Sequence, residues 1–324
     1  MNTVLMVALG VLLAALAAVA GLSVYFYNKA VARADKSFLQ GDPGLRLNPN
    51  MKIDLQANRD WWAQQTCSIW SLTSDDGLQL KAYYLPAPSP TKATVILAHG
   101  YGGEAGMMCG LARLYHERLG MNVLLPDARG HGRSEGSYIG FGWKERLDYT
   151  GWIAQLIEQL GEEATIVLHG VSMGAATVMM TSGEMLPQQV TCIVEDCGYT
   201  SVEDELAYQL KRMYRLPSFP LIAATSLLTR LRAGYSFRKA SALEQLHHNT
   251  RPMLFIHGEQ DQFVPTSMVY RLYDACKAPK RLVVVPNAGH GESYLVDPDK
   301  YTQELIAFLS QYGSRDRPGR LERV

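Results

Sequence analysis

No lysine, arginine, aspartate or glutamate occurs among the first 28 of the 324 residues, and Val4 to Tyr27 is almost continuously apolar. At about 1.5 Å per residue this run exceeds the ~30 Å hydrocarbon core of a bilayer, so it is long enough to span one. Cysteine is scarce. The five residues Cys67, Cys109, Cys192, Cys197 and Cys276 are scattered, odd in number, and show neither a CxxC pair nor a Cys/His ligand spacing. That argues against a disulfide framework or a metal site and for buried, reduced thiols. An excess of charge is missing too, since 31 basic residues balance 31 acidic ones, and no global field favours nucleic acid. Internal repeats and low-complexity tracts are absent.

What is present can fold. With 47% hydrophobic residues the chain can bury a sizeable core. Ala18-Val19-Ala20 before Gly21 has the small-x-small form of a signal-peptide cleavage site, but no Lys or Arg precedes the apolar run and it continues past Gly21. An uncleaved single-pass anchor over residues 1–28 is the expectation. Lys29, Arg33 and Lys36 follow it, which puts the remainder on the cytoplasmic side. Residues 29–63 read as a juxtamembrane spacer, with Trp61 and Trp62 at its end suited to a membrane interface or to packing. Residues 64–313 read as one α/β domain, and residues 314–324 form a charged tail.

Within that domain eight short runs look like strands: about Thr66–Leu72, Leu78–Leu85, Thr94–Ala98, Asn122–Pro126, Ala164–Leu168, Val190–Glu195, Pro252–Ile256 and Arg281–Val285. From the third onward they alternate with helical patterns, including Met107–Leu119, Trp143–Leu160, Met173–Leu186, Val202–Tyr214, Ser267–Ala275 and Tyr301–Tyr312. This predicts a mainly parallel eight-stranded sheet covered by helices on both faces, with an antiparallel start. In such sheets ligands bind beyond the carboxyl ends of the strands. Polar and glycine-rich text collects there, as "HGYGGEAG", "DARGHGRSEG", "GVSMGAA", "HGEQDQFVP" and "NAGHGES".

Two chemistries compete for that edge. Gly100, Gly102 and Ala105 fit the glycine-rich turn of a dinucleotide site, with Asp127 available for a ribose, but this leaves Ser172 and its glycines unexplained. Gly170, Ser172 and Gly174 fit a nucleophile elbow, a strand-to-helix turn that exposes a serine hydroxyl. A serine needs a base, itself oriented by a third group. His290 lies in a loop after the last strand, whereas His99, His131, His169 and His257 read as structural. Asp261 completes the chain order Ser, Asp, His, with Asp196 as the alternative acid; Glu259 and Glu292 read as solvated loop charges. Oxyanion donors are expected at the backbone N–H groups of Met173 and Tyr101.

These segments together resemble the α/β-hydrolase superfamily over about Thr66 to Leu309, nearest to bacterial membrane-anchored members of its serine-aminopeptidase-like or esterase/lipase-like branch. The resemblance implies a serine hydrolase that cleaves carboxylic esters through an acyl-enzyme, without metal or organic cofactor. A peptidase or thioesterase would use the same residues on a small-molecule ester or peptide substrate. A non-catalytic membrane scaffold is the alternative from another class. The excursion at about 198–251 is similar to a cap, in which Leu227 and Leu228 are expected to face an acyl pocket. A chain beginning near Ala34 is expected to keep its activity, because elbow, acid and base all follow that point.

Overall fold

The computed structural model describes residues 3–49 and 51–314, so nearly all of the charged tail lies outside the described residues. The strands are β1 (Ser68–Thr73), β2 (Gln79–Leu85), β3 (Ala93–Ala98), β4 (Asn122–Pro126), β5 (Thr165–Val171), β6 (Val190–Asp196), β7 (Met253–Gly258) and β8 (Lys280–Val285). They form one sheet in the order β1-β2-β4-β3-β5-β6-β7-β8. Pairs β1/β2 and β2/β4 are antiparallel and every other pair is parallel, so the sheet is mixed.

The helices are α1 (Thr3–Phe26), α2 (Leu55–Ala63), α3 (Cys109–Arg113), α4 (Glu145–Leu160), α5 (Met173–Thr181), α6 (Val202–Tyr214), α7 (Leu221–Ala233), α8 (Ala242–Leu246), α9 (Ser267–Ala275), α10 (Ser293–Val296) and α11 (Pro298–Tyr312). The two-residue period of the strands sorts their side chains onto two cores. In β3, Ile96 and Ala98 join the core shared with α4, α5 and α9, while Val95 and Leu97 join the one shared with α3 and α11. Strands β4, β6 and β7 are buried along their whole length, as crossover helices on both faces require.

Two segments depart from expectation. Met107–Leu119 is not one helix: a 3-10 turn at Ala105–Met108 leads into α3 and then a π-helical turn at Leu114–Arg118. The region read as a spacer contains α2, whose Asp54 N-cap accepts from the N–H groups of Gln56 and Ala57. Nine residues are too few to print a clear period. Trp61 and Trp62 at its end pack on His116 and Tyr83.

Helix α1 is long and apolar enough to cross a membrane, and Thr3–Ala18 is exposed throughout. Its far end is docked. Tyr27 and Val31 are buried, and the Lys36 ammonium donates to the carbonyls of Lys29 and Ala32 at 2.9 and 2.8 Å, a cation on the last turn where the helix leaves carbonyls free. Arg33 then donates to the carbonyls of Gly132 and Ser134 at 2.8 and 2.7 Å.

Candidate active site

Strand β5 runs three residues further than its apolar text, and Ser172 follows at φ 58°, ψ −116°, between strand and α5. That left-handed value is costly for a residue with a Cβ and persists where the surroundings impose it. The flanking glycines are required by close approach. A Cβ on Gly170 would stand 2.1 Å from the Gly174 carbonyl oxygen, and one on Gly174 would stand 1.9 Å from that of Ala98.

His290, in the loop after β8, brings Nε2 to 2.8 Å from Ser172 Oγ and Nδ1 to 2.8 Å from Asp261 Oδ2. Burial alone would raise the Asp261 carboxyl, but the imidazoles of His290 and His257 outweigh it and hold the group down to about 2. An ionised carboxylate only accepts, so Nδ1 carries the imidazole proton and Nε2 is left to accept from the Ser172 hydroxyl. The other oxygen, Asp261 Oδ1, accepts from the N–H groups of Phe263 and Val264 at 2.9 and 2.8 Å. The Phe263 ring lies 4.9 Å from that of His290.

Asp196 ends β6 but turns elsewhere. Its oxygens accept from the hydroxyls of Ser293 and Tyr301 at 3.2 and 3.1 Å, and burial pushes its carboxyl up to about 6. Its backbone carbonyl accepts from the Ser172 N–H at 2.8 Å.

Met173 is the first residue of α5, so its N–H has no carbonyl one turn back. The loop bearing Tyr101 is held by two histidines: His99 Nδ1 donates to the Gly100 carbonyl at 2.8 Å, and His131 Nε2 accepts from the Gly102 N–H at 3.2 Å. His169 points away from Ser172, fully buried between the hydroxyls of Tyr115 and Tyr301. Asp127, which a dinucleotide site would need free, is buried with both oxygens accepting from the N–H groups of Ala105 and Arg133.

The structural reading of His257 holds but leaves out its contact with the acid, and the solvated reading of Glu292 does not hold. His257 Nε2 donates to the Val264 carbonyl at 3.0 Å and lies 3.3 Å from Asp261 Oδ2, so the acid sits between two imidazoles. The four-residue spacing of His257 and Asp261 after β7 was the available signal. Glu292 is buried, not solvated: it accepts from the N–H groups of Gly289 and Asn48 and so fixes the loop that carries His290. Cys197, Asp261 and His290 bring possible ligand atoms within 4.8 Å of one another. They fit a metal poorly, because burial holds the Cys197 thiol protonated and the two facing atoms of Asp261 and His290 already bond each other.

A mostly apolar cavity of about 920 Å³, counting space open to solvent, lies over Ser172. Helix α6 lines it with Leu206, Leu210 and Met213, and α7 with Leu221, Ile222 and Thr225. Leu227 and Leu228 do not: Leu227 is on the outer face at 59% exposure and Leu228 packs into the core. Phe26, Lys29, Ala30, Phe38 and Leu39 also line the cavity. Removing the chain before Ala34 would therefore remove Phe26, Lys29 and Ala30 from the cavity wall, a contribution the sequence did not announce.

Residues 95–304 match the alpha/beta hydrolase family. The uncharacterized protein YqkD of Bacillus subtilis is 33% identical over 76% of this chain and 80% of its own length. The uncharacterized membrane protein YNL320W of Saccharomyces cerevisiae is 24% identical over 75% of this chain and 79% of its own. Among solved structures, the Pyrococcus furiosus esterase Pf2001 superimposes with a TM-score of 0.64 at 23% identity, covering 82% of this chain and 98% of that one, a likeness of fold. With its family matched over most of the domain that carries Ser172, Asp261 and His290, the chain belongs to the alpha/beta hydrolase family.

Proposed function

We propose that this hydrolase cleaves carboxylic esters through an acyl-enzyme, with Ser172 as nucleophile, His290 as general acid and base, and Asp261 as the group that orients and stabilises the imidazole. The observation that supports it is the relay of two 2.8 Å contacts from Ser172 Oγ through His290 to Asp261. Ser172 Oγ attacks the ester carbonyl carbon while its proton passes to His290 Nε2. The C–O bond to the alcohol then breaks, and that proton leaves with the alcohol. Water next gives a proton to Nε2 and its hydroxyl to the acyl carbon, which frees the carboxylic acid and restores the serine. The N–H groups of Met173 and Tyr101 face the developing oxyanion, each worth about 2.7–4 kcal/mol on the mutational precedent for one such donor. No cofactor enters any step.

In this reading residues 1–28 anchor the protein in a membrane, with Lys29, Arg33 and Lys36 on the cytoplasmic side. Residues 64–313 form the catalytic body, and 198–251 its cap. A fluorophosphonate probe tests the nucleophile: it should label Ser172, and Ser172→Ala should lose the label with an unchanged circular dichroism spectrum. Labelling at another serine, or none, overturns the assignment. A panel of p-nitrophenyl esters, acyl thioesters and aminoacyl amides then ranks the leaving groups and separates esterase from thioesterase and peptidase.

A further inference from the structure

One wall of the cavity over Ser172 is built by the end of the apolar helix. Phe26 closes α1, Lys29 and Ala30 follow it, and all three line the cavity. The lining also includes Leu221, Ile222 and Thr225 of α7, a helix that packs against α1. Exposure along α1 is lost at Val19, Ser23, Phe26 and Tyr27 while Thr3–Ala18 stays open, so the contact falls in its last two turns.

The outer face of α7 is apolar where water would disfavour it. Leu227 and Leu231, one turn apart, are 59% and 76% exposed, and Phe219 just before the helix is 78% exposed. Arg232, at the same end of α7, places its guanidinium 5.1 Å from the Tyr27 ring, and Arg230, two residues earlier, is exposed. Exposed leucines and a phenylalanine with arginines close by, beside a helix of bilayer length, have the composition of an element lying in a membrane interface.

We infer that α7 lies in the bilayer interface beside α1, and that the cavity between them admits the acyl chain of a membrane-borne carboxylic ester to Ser172. The inference rests on the serine esterase reading and adds the substrate class and its route of entry. The reaction is hydrolysis of that ester: the acyl C–O bond breaks, the Ser172 proton leaves with the alcohol through His290, and water supplies the hydroxyl of the released fatty acid and the proton that restores Ser172. The apolar end of the substrate never has to cross water, because Phe26 belongs to the helix that would stand in the lipid and also lines the cavity.

The test uses the full chain reconstituted in vesicles of ether-linked phosphatidylcholine, so that the added probe is the only ester present. Rates are compared for p-nitrophenyl palmitate dissolved in the vesicles and p-nitrophenyl acetate in water. The double variant Leu227→Asp/Leu231→Asp should lower the palmitate-to-acetate ratio at least about tenfold by weakening interfacial insertion. Phe26→Trp, which narrows the cavity, should lower it by a similar factor. An unchanged ratio in either variant overturns the inference, while Ser172-dependent acetate turnover keeps the esterase reading standing. Absence of Ser172-dependent turnover of both esters by the unaltered protein would remove the esterase reading, and the inference with it.

Discussion

The Tyr101 hydroxyl donates to the Ala30 carbonyl at 2.7 Å, so the loop that carries the proposed second oxyanion donor is tied to the exit of α1. The ring meanwhile stacks on Phe141, with centroids 5.2 Å apart. Tyr101→Phe keeps the ring and the backbone N–H and loses only the tether. It should cost about 1 kcal/mol in urea unfolding, with kcat on a soluble ester changed by less than about threefold. A loss of about a hundredfold would mean that the tether itself sets the oxyanion donor.

Asp261→Asn removes the charge opposite His290 and frees the imidazole to take the wrong tautomer. We expect kcat to fall on the order of 10²–10⁴-fold with the fold intact by circular dichroism. Asp196→Asn leaves His290 its partner, and an amide can still accept from Ser293 or Tyr301, so its cost should appear as stability lost. A larger kcat loss at Asp196 than at Asp261 would reverse the assignment of the acid.

Glu292 touches none of the reacting atoms, yet it joins Gly289, next to His290, to Asn48. Glu292→Ala should therefore loosen the base, lowering kcat by about 10- to 100-fold while KM for a soluble ester changes little. Glu292→Gln, which retains an acceptor oxygen, should restore most of the loss. Were both variants equally impaired, the negative charge and not the bonding geometry would be what the loop needs.

Two further acids are buried in the domain, Glu195 and the cavity-lining Glu205, and burial pushes their carboxyls up to about 8 against an ordinary 4.5. Glu195 Oε1 and Glu205 Oε2 have no hydrogen-bond partner among the described residues. Between those two values the folded chain keeps protons that the unfolded chain has released, so their contribution is fully present below about pH 4.5 and is lost as pH rises through about 8. Unfolding free energy should thus decline from about pH 5 to about pH 8, with a slope on the order of 1 kcal/mol per unit for each group. Glu205→Gln should flatten that decline. Asp261 acts in the opposite sense at low pH: its contribution is present above its ordinary 3.8 and is lost as pH falls through about 2.

Much of the site was legible because its signals are local. Gly170 and Gly174 stand within two residues of Ser172, and the contacts that forbid a Cβ at either position come from the elbow itself and the end of β3. The strands were legible for a similar reason, since burial on both faces demands unbroken apolar text. Residues whose roles depend on distant partners were not. Nothing around Glu292 in the sequence announces Asn48, which is 244 positions away, and Phe26 reads as one more residue of an apolar run until α6 and α7 fold against it. The nine residues of α2 were too short to show periodicity, although Asp54 ahead of them is a good N-cap.

The span between Asn48 and Glu292 also bears on the order in which the protein is made. A chain leaves the ribosome from its N-terminus, so the apolar helix and Phe26 emerge long before Ser172, and Ser172 emerges 118 positions before His290. During that interval a growing chain would hold Ser172 and part of the cavity wall, but not the imidazole that the proposed mechanism needs to activate the hydroxyl. On the proposed reading, hydrolysis becomes possible only after β8 has been synthesised and its following loop is clamped back onto residue 48.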